Sequence, residues 1–204
     1  MEIVEKYYSI NWHNRGNSTP SAFYGEQGIL GFELIPVLEL KNSFPEDFTL
    51  KKITETSKGI DVSEDFNGES EIWLDYLPND LAFPLMSKRM KKIINDKISE
   101  REAIKWIEAK VNYKGNSKEY FVPLFTKALD VLDVKRTKYV PGTDHIIKAF
   151  FSKEKVIKYN LFHKPASEDH LFKITSDIYV SSEIEKVITK EKLSGILLEE
   201  IKTL

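Results

Sequence analysis

The residues in this chain best placed to do chemistry are carboxylates, and they are concentrated in one stretch. Residues 61–80, DVSEDFNGESEIWLDYLPND, hold seven acidic residues (Asp61, Glu64, Asp65, Glu69, Glu71, Asp75 and Asp80) and neither Lys nor Arg. Glu64, Asp65, Glu69, Glu71 and Asp75 stand close to Trp73 and Tyr76, aromatic types that commonly anchor interfaces. This composition suits recognition more than bond-making, because a carboxylate-rich face complements a basic surface and speeds encounter with it. It also suits a structural role, with the acids facing solvent or pairing with the Lys88–Lys92 cluster just downstream.

Covalent and metal chemistry find less support. His13, His145, His163 and His170 are scattered, and none has a second ligand three or four residues away on a helix. Asp144-His145 and Asp169-His170 are adjacent pairs, but neighbours on extended chain point apart. There is no cysteine, which excludes disulfides, thiolate nucleophiles and cysteine-ligated metals. No glycine-rich loop joins a strand to a helix, and no serine sits in a nucleophile elbow. A site assembled in three dimensions from Asp, His and Tyr stays open. No catalytic residue, metal ligand or cofactor is assigned.

The net charge of −2 over 204 residues, with basic and acidic residues interleaved outside the acidic stretch, offers no stripe for a phosphate backbone. Nucleic acid is therefore not an expected partner. Charged residues make up 30% and hydrophobic ones 41%, ordinary for a folded globular protein. No run approaches the roughly 20 apolar residues that span a bilayer, and the opening MEIVEKYYSINW lacks a signal-peptide core. The expectation is a cytoplasmic protein with no membrane partner.

The elements that must position these residues are read from periodicity. Tyr8, Ile10 and Trp12 alternate as an opening strand, and residues 13–28 read as a loop. GILGFELIPVLELK reads as extended, with Pro36 marking an edge strand or a break. Residues 41–59 show only weak elements. Ile72, Leu74 and Tyr76 alternate toward one side of a short strand, with Trp73 and Asp75 toward the other.

Ser87 caps a helix whose apolar stripe is Met90, Ile93, Ile94 and Ile98, and Lys88, Arg89, Lys91 and Lys92 crowd its positive end. Ile107–Tyr113 and Glu119–Phe125 form a hairpin about Lys114-Gly115-Asn116. Asp133 suits an Asx turn. HIIKAFFSKEKVIKYNLFHK reads as a last hairpin with a polar tip at Ser152–Lys155. Leu171–Ile201 then gives strand, capped helix and strand. In it Ser182 and Glu185 have capping-box spacing, Ile184, Val187 and Ile188 share a face, and Gly195 supplies a left-handed stop. LMSKRMKKII and YVSSEIEKVI echo each other, Ser87 aligning with Ser181 and Met90 with Ile184.

The order of several of these motifs resembles the immunity protein family numbered eleven of bacterial polymorphic toxin systems, once filed as a domain of unknown function. The matching features are PLMSKRMKKIIN, VLDVKRT, IIKAFFSKEKVIKYNLFHK, LFKI and IYVSSEIEKVITKEKLSGILLEE. The resemblance covers about residues 70–201 and leaves 1–60 without support. It implies a non-enzymatic protein that binds a cognate toxin and blocks it, with no catalytic residues to carry over. Toxins that act on nucleic acid present basic clefts, and the face bearing Glu64, Asp65, Glu69, Glu71, Trp73, Asp75 and Tyr76 would then fill one as a substrate mimic. A small enzyme with a scattered site, or an adaptor domain without a toxin partner, is the alternative. The expected fold is α+β in one domain over 1–204: a mostly antiparallel sheet of hairpins carrying two or three amphipathic helices.

Overall fold

The computed structural model describes residues 5–13, 16–25, 28–69, 71–166 and 171–204. β1 (Tyr7–Trp12) and β2 (Ser18–Tyr24) precede α1 (Gly31–Lys41), and β3 (Phe48–Thr56) turns back into β4 (Gly59–Ser63). β5 (Tyr76–Leu77) and β6 (Leu85–Ser87) lead into α2 (Lys88–Asn95), followed by the hairpin of β7 (Ile104–Tyr113) and β8 (Asn116–Phe125). β9 (Lys138–Tyr139) pairs with β10 (Ile146–Lys148), and α3 (Lys153–Val156) is a single turn. β11 (Leu161–His163) comes before the closing unit of β12 (Ile178–Ser181), α4 (Ser182–Glu191) and β13 (Ile196–Ile201). The fold is α+β, with helices packed against mostly antiparallel sheets.

The larger sheet has the order β2-β3-β7-β8-β6-β5, with β4 also on β3. Its strand pairings are antiparallel except that of β3 with β7. Its two ends meet. Ala22 N–H donates to Pro78 O (2.8 Å) and Asp80 N–H to Ala22 O (3.2 Å), so the sheet curls back on itself. This closure pairs backbone groups that an open edge would leave exposed. Phe48, Leu50, Leu77, Leu85, Val111 and Val122 fill the interior, with Leu34, Ile35 and Leu38 of α1 packed against them. A smaller sheet, β11-β12-β1-β13, is antiparallel throughout. Its apolar residues form a second core with Met90 and Ile94 of α2 and Ile184 and Ile188 of α4.

Local signals set much of this. The β7–β8 hairpin holds ten register pairs, closed by Lys114 and Gly115 at φ 45° and 79°, the positive pair a tight hairpin turn requires. Ser87 Oγ accepts the Met90 N–H at 3.2 Å, capping α2. Asp133 folds back onto the Lys135 and Arg136 N–H groups at 3.1 and 3.3 Å. The two echoing segments have the same build: Ser87 and Ser181 each end a short strand and occupy the N-cap of the next helix, and α2 packs against α4.

Other expectations are corrected. Residues 31–41 are helical, not extended: Leu34, Ile35 and Leu38 form a buried stripe, Glu33 accepts the Leu30 N–H (2.9 Å), and Asn42 closes the helix in the left-handed region. That spacing outweighs Pro36, which costs one intrahelical bond. Residues 18–24, within the expected loop, are β2, and Pro20 is accommodated because β2 is a terminal strand of the sheet path. The weak stretch 41–59 contains β3, a long strand joining β2, β4 and β7.

The expected last hairpin does not form. β10 pairs with β9, β11 pairs with β12, and the polar tip winds into α3 through Val156 N–H to Ser152 O (3.0 Å). At the closing helix the capping box is absent: Ser181 Oγ donates to Asn160 Oδ1 (2.6 Å) and Ser182 Oγ to Glu5 Oε1 (3.0 Å). Lys192 (φ 52°) is the left-handed stop rather than Gly195. Gly195 serves a close approach, since a Cβ there would collide with the Tyr76 carbonyl oxygen.

Candidate binding surface

The acidic stretch is mostly a surface loop pinned at a few points. Asp65 Oδ1 accepts the Asn67 N–H at 2.9 Å, forming an Asx turn. Phe66 is buried and meets the Tyr113 ring edge-on at 5.1 Å, while Tyr113 Oη donates to Glu64 O at 3.1 Å. Ser18 Oγ donates to Glu69 Oε1 at 2.7 Å, tying the loop to β2. These anchors leave the carboxylates of Glu64, Asp65, Glu69 and Glu71 on the outside.

The remaining residues of the expected site separate by burial. Trp73 is half-buried, with Lys118 Nζ 5.1 Å from its ring centroid, a cation–π arrangement. Tyr76 is 1% exposed and stacks on Trp12 at 5.9 Å, so it has no surface to give a partner. Burial raises its phenol pKa well above the usual tyrosine range. Asp75 is 7% exposed. Its Oδ1 accepts from Ser87 Oγ (2.6 Å), its Oδ2 from Ser194 N–H (3.0 Å), and Arg89 lies 3.6 Å away. Asp75 therefore braces the start of α2 against the turn after α4. The alternation expected for residues 72–76 gives way to a continuous buried run from Leu74 to Leu77.

Glu71, Trp73 and Asp75 come together in a cleft of about 730 Å³ that Lys88, Arg89, Lys110, Lys118 and Glu119 also line. A second hollow of about 550 Å³ shares Glu71, Trp73 and Lys118 and extends past Glu69 to Phe66. Trp73 and Lys118 thus sit where an acidic flank meets a basic one. Asn112 donates to Asp47 Oδ2 (2.8 Å) and, with Lys110 at 3.1 Å, holds the Asp47 carboxyl below its usual range. What sequence reasoning missed is that Lys110 and Lys118 join Lys88 and Arg89 in this lining. Lys110 and Lys118 are wet positions of the β7–β8 hairpin, and their meeting with α2 depends on sheet order.

Among the described residues the imidazoles do not assemble a reactive centre. His163 is fully buried, its Nε2 facing the Leu129 N–H (3.4 Å) and its Nδ1 facing Lys164 O (3.0 Å), with Phe125 and Phe172 against the ring. Burial lowers its pKa. His13 and His145 are exposed, and Asp169-His170 lie outside the described residues. Among the described residues no group of His, Asp and Glu is arranged to hold a metal ion, and no helix is long and apolar enough to cross a membrane.

Comparison by family places the chain among the immunity proteins: residues 32–203 match a model of that class. The particular family is Imm11, and the chain belongs to it. The match starts well ahead of residue 70, taking in α1 and β3 as well as the motifs read from the sequence. No curated protein matches the chain.

Proposed function

We propose that this protein confers immunity by binding a cognate bacterial toxin directly and stoichiometrically, as part of a polymorphic toxin system. It works in the cytoplasm, without cofactor or catalysis. Membership of the immunity family over residues 32–203 carries this reading. The cleft supports it, because a half-buried Trp73 among exposed carboxylates is the kind of feature that anchors a protein partner. The contact face comprises Glu64, Asp65, Glu69, Glu71 and Trp73, while Asp75 lines the cleft beside them.

Co-expression with the product of the neighbouring toxin gene tests the proposal. Cells carrying both proteins are expected to grow, and the two are expected to co-purify. Cell death together with failure to co-purify would remove the reading.

A further inference from the structure

The first turn of α2 contains no acidic residue but holds Lys88, Arg89 and Lys91, and Lys92 follows in the last turn. Cations at a helix N-terminus oppose the macrodipole and repel one another. Arg89 is relieved by Asp75 at 3.6 Å and by donation to Glu191 O at 2.7 Å. Lys91 lays its ammonium 3.7 Å from the Phe121 ring centroid and 5.8 Å from that of Trp106. Lys88 and Lys92 are exposed and make no ion pair among the described residues. Both line a groove of about 560 Å³ together with Lys91, Asn95, Asp96 and the buried Phe121. Lys88 and Arg89 line both this groove and the cleft that holds Trp73.

We infer that this cationic ledge is the second half of the contact face and receives a carboxylate-bearing surface of the partner protein; the inference rests on the toxin-binding reading above. The occupant is a protein rather than a nucleic acid. Glu71 and Glu119 on the cleft side and Asp96 on the groove side would repel a continuous phosphate backbone. A protein surface can place isolated carboxylates over Lys88 and Lys92 and basic groups over Glu64 and Glu69. The partner's face is therefore bipolar, with its acidic part over α2 and its basic part over the acidic loop. A uniformly basic cleft would meet repulsion along the ledge, which displaces simple substrate mimicry as the mode of binding.

The test is the double variant Lys88→Glu/Lys92→Glu, which touches neither the core nor the Asp75 bridge. Its thermal midpoint is expected to stay close to that of the wild type, since an acid at position 88 suits the helix start while one at position 92, in the last turn, opposes the dipole. Its affinity for the co-purifying toxin is expected to fall by about tenfold or more, with much of the loss in association rate. Unchanged affinity in an intact complex would overturn the ledge while leaving toxin binding in place.

If the wild-type protein forms no complex, the toxin-binding reading fails separately and a probe titration decides the ledge. A poly-glutamate peptide is expected to saturate a shift of the Trp106 indole resonance in the wild type and not in the variant. Trp106 suits this because its Nε1–H donates to Asn95 Oδ1 at 2.7 Å, within the groove. No shift, an equal shift in the variant, or a stronger response to a DNA oligonucleotide of equal charge would overturn the inference.

Discussion

Asp75 accepts a hydrogen bond from Ser87 Oγ at 2.6 Å, and the same hydroxyl accepts the Met90 N–H at 3.2 Å. The carboxylate thus supplies an anion to the start of a helix that carries only cations of its own in its first turn. Removing it would leave the Ser194 N–H without its acceptor and Arg89 without its ion-pair partner. Asp75→Ala is expected to cost about 2–3 kcal/mol of stability and Ser87→Ala about 1 kcal/mol, with strong coupling in a double-mutant cycle. Urea unfolding of the four proteins measures this; additive losses would contradict the shared network.

Gly195 and Gly142 have nearly the same backbone, φ 76° and 77°, in opposite surroundings. A Cβ at Gly142 meets nothing within 4 Å, whereas one at Gly195 would strike Tyr76 O and lie 2.9 Å from Leu74 Cβ. Gly142→Ala is expected to cost about 1 kcal/mol from the left-handed conformation alone, and Gly195→Ala at least about 2 kcal/mol more through the clash. Equal losses in thermal unfolding would mean that the β13 turn is not seated against β5.

His163 is held neutral by burial, so its folded pKa lies below the ordinary imidazole value of about 6.5. The unfolded chain then binds a proton that the folded chain refuses. Its contribution to stability is full above about pH 6.5 and falls as pH drops from there through the lowered folded pKa. His163→Gln is expected to flatten that decline between about pH 7 and 5 in denaturant titrations. An unchanged slope would assign the acid sensitivity to other groups.

The exposed acids can be tested without disturbing the fold. Glu64→Gln/Glu69→Gln/Glu71→Gln is expected to keep the wild-type unfolding curve and weaken the toxin complex by about tenfold or more. Trp73→Ala is expected to weaken it further, as buried aromatic anchors do. Including Asp75 in such a set would confuse binding with folding, because its carboxylate braces α2. Unchanged affinity in the triple variant would take the acidic loop out of the contact face.

What could be read from the sequence was what neighbouring residues decide. The β7–β8 hairpin follows from alternation around a turn with positive φ, the α2 cap from Ser87, and the closing unit from strand formers ahead of an amphipathic helix. Pro20 misleads because it stands among glycines and short polar residues that read as loop, and Pro36 misleads when weighed alone. A sheet end tolerates the first, and the Leu34, Ile35 and Leu38 stripe outweighs the second. β3 stayed hidden because its identity depends on partners far along the chain, among them β7.

The proposed binding face is half legible on the same grounds. The acidic loop is local, and its composition stands out. Tyr76 and Asp75 looked available because alternation cannot reveal that the turn at Ser194 and Gly195 packs over them, as the Tyr76 N–H to Ser194 O bond at 3.1 Å records. Bringing Lys110 and Lys118 up to α2 required sheet order.

The most direct test of the central claim is calorimetric titration of this protein into the purified product of the gene adjacent to its own, alongside an assay of that product's toxic activity. Saturation at one immunity protein per toxin, with activity lost in proportion to the bound fraction, is the outcome the account predicts. A toxin that remains active at saturating immunity protein, or one that takes up no heat and shows no binding, would contradict it.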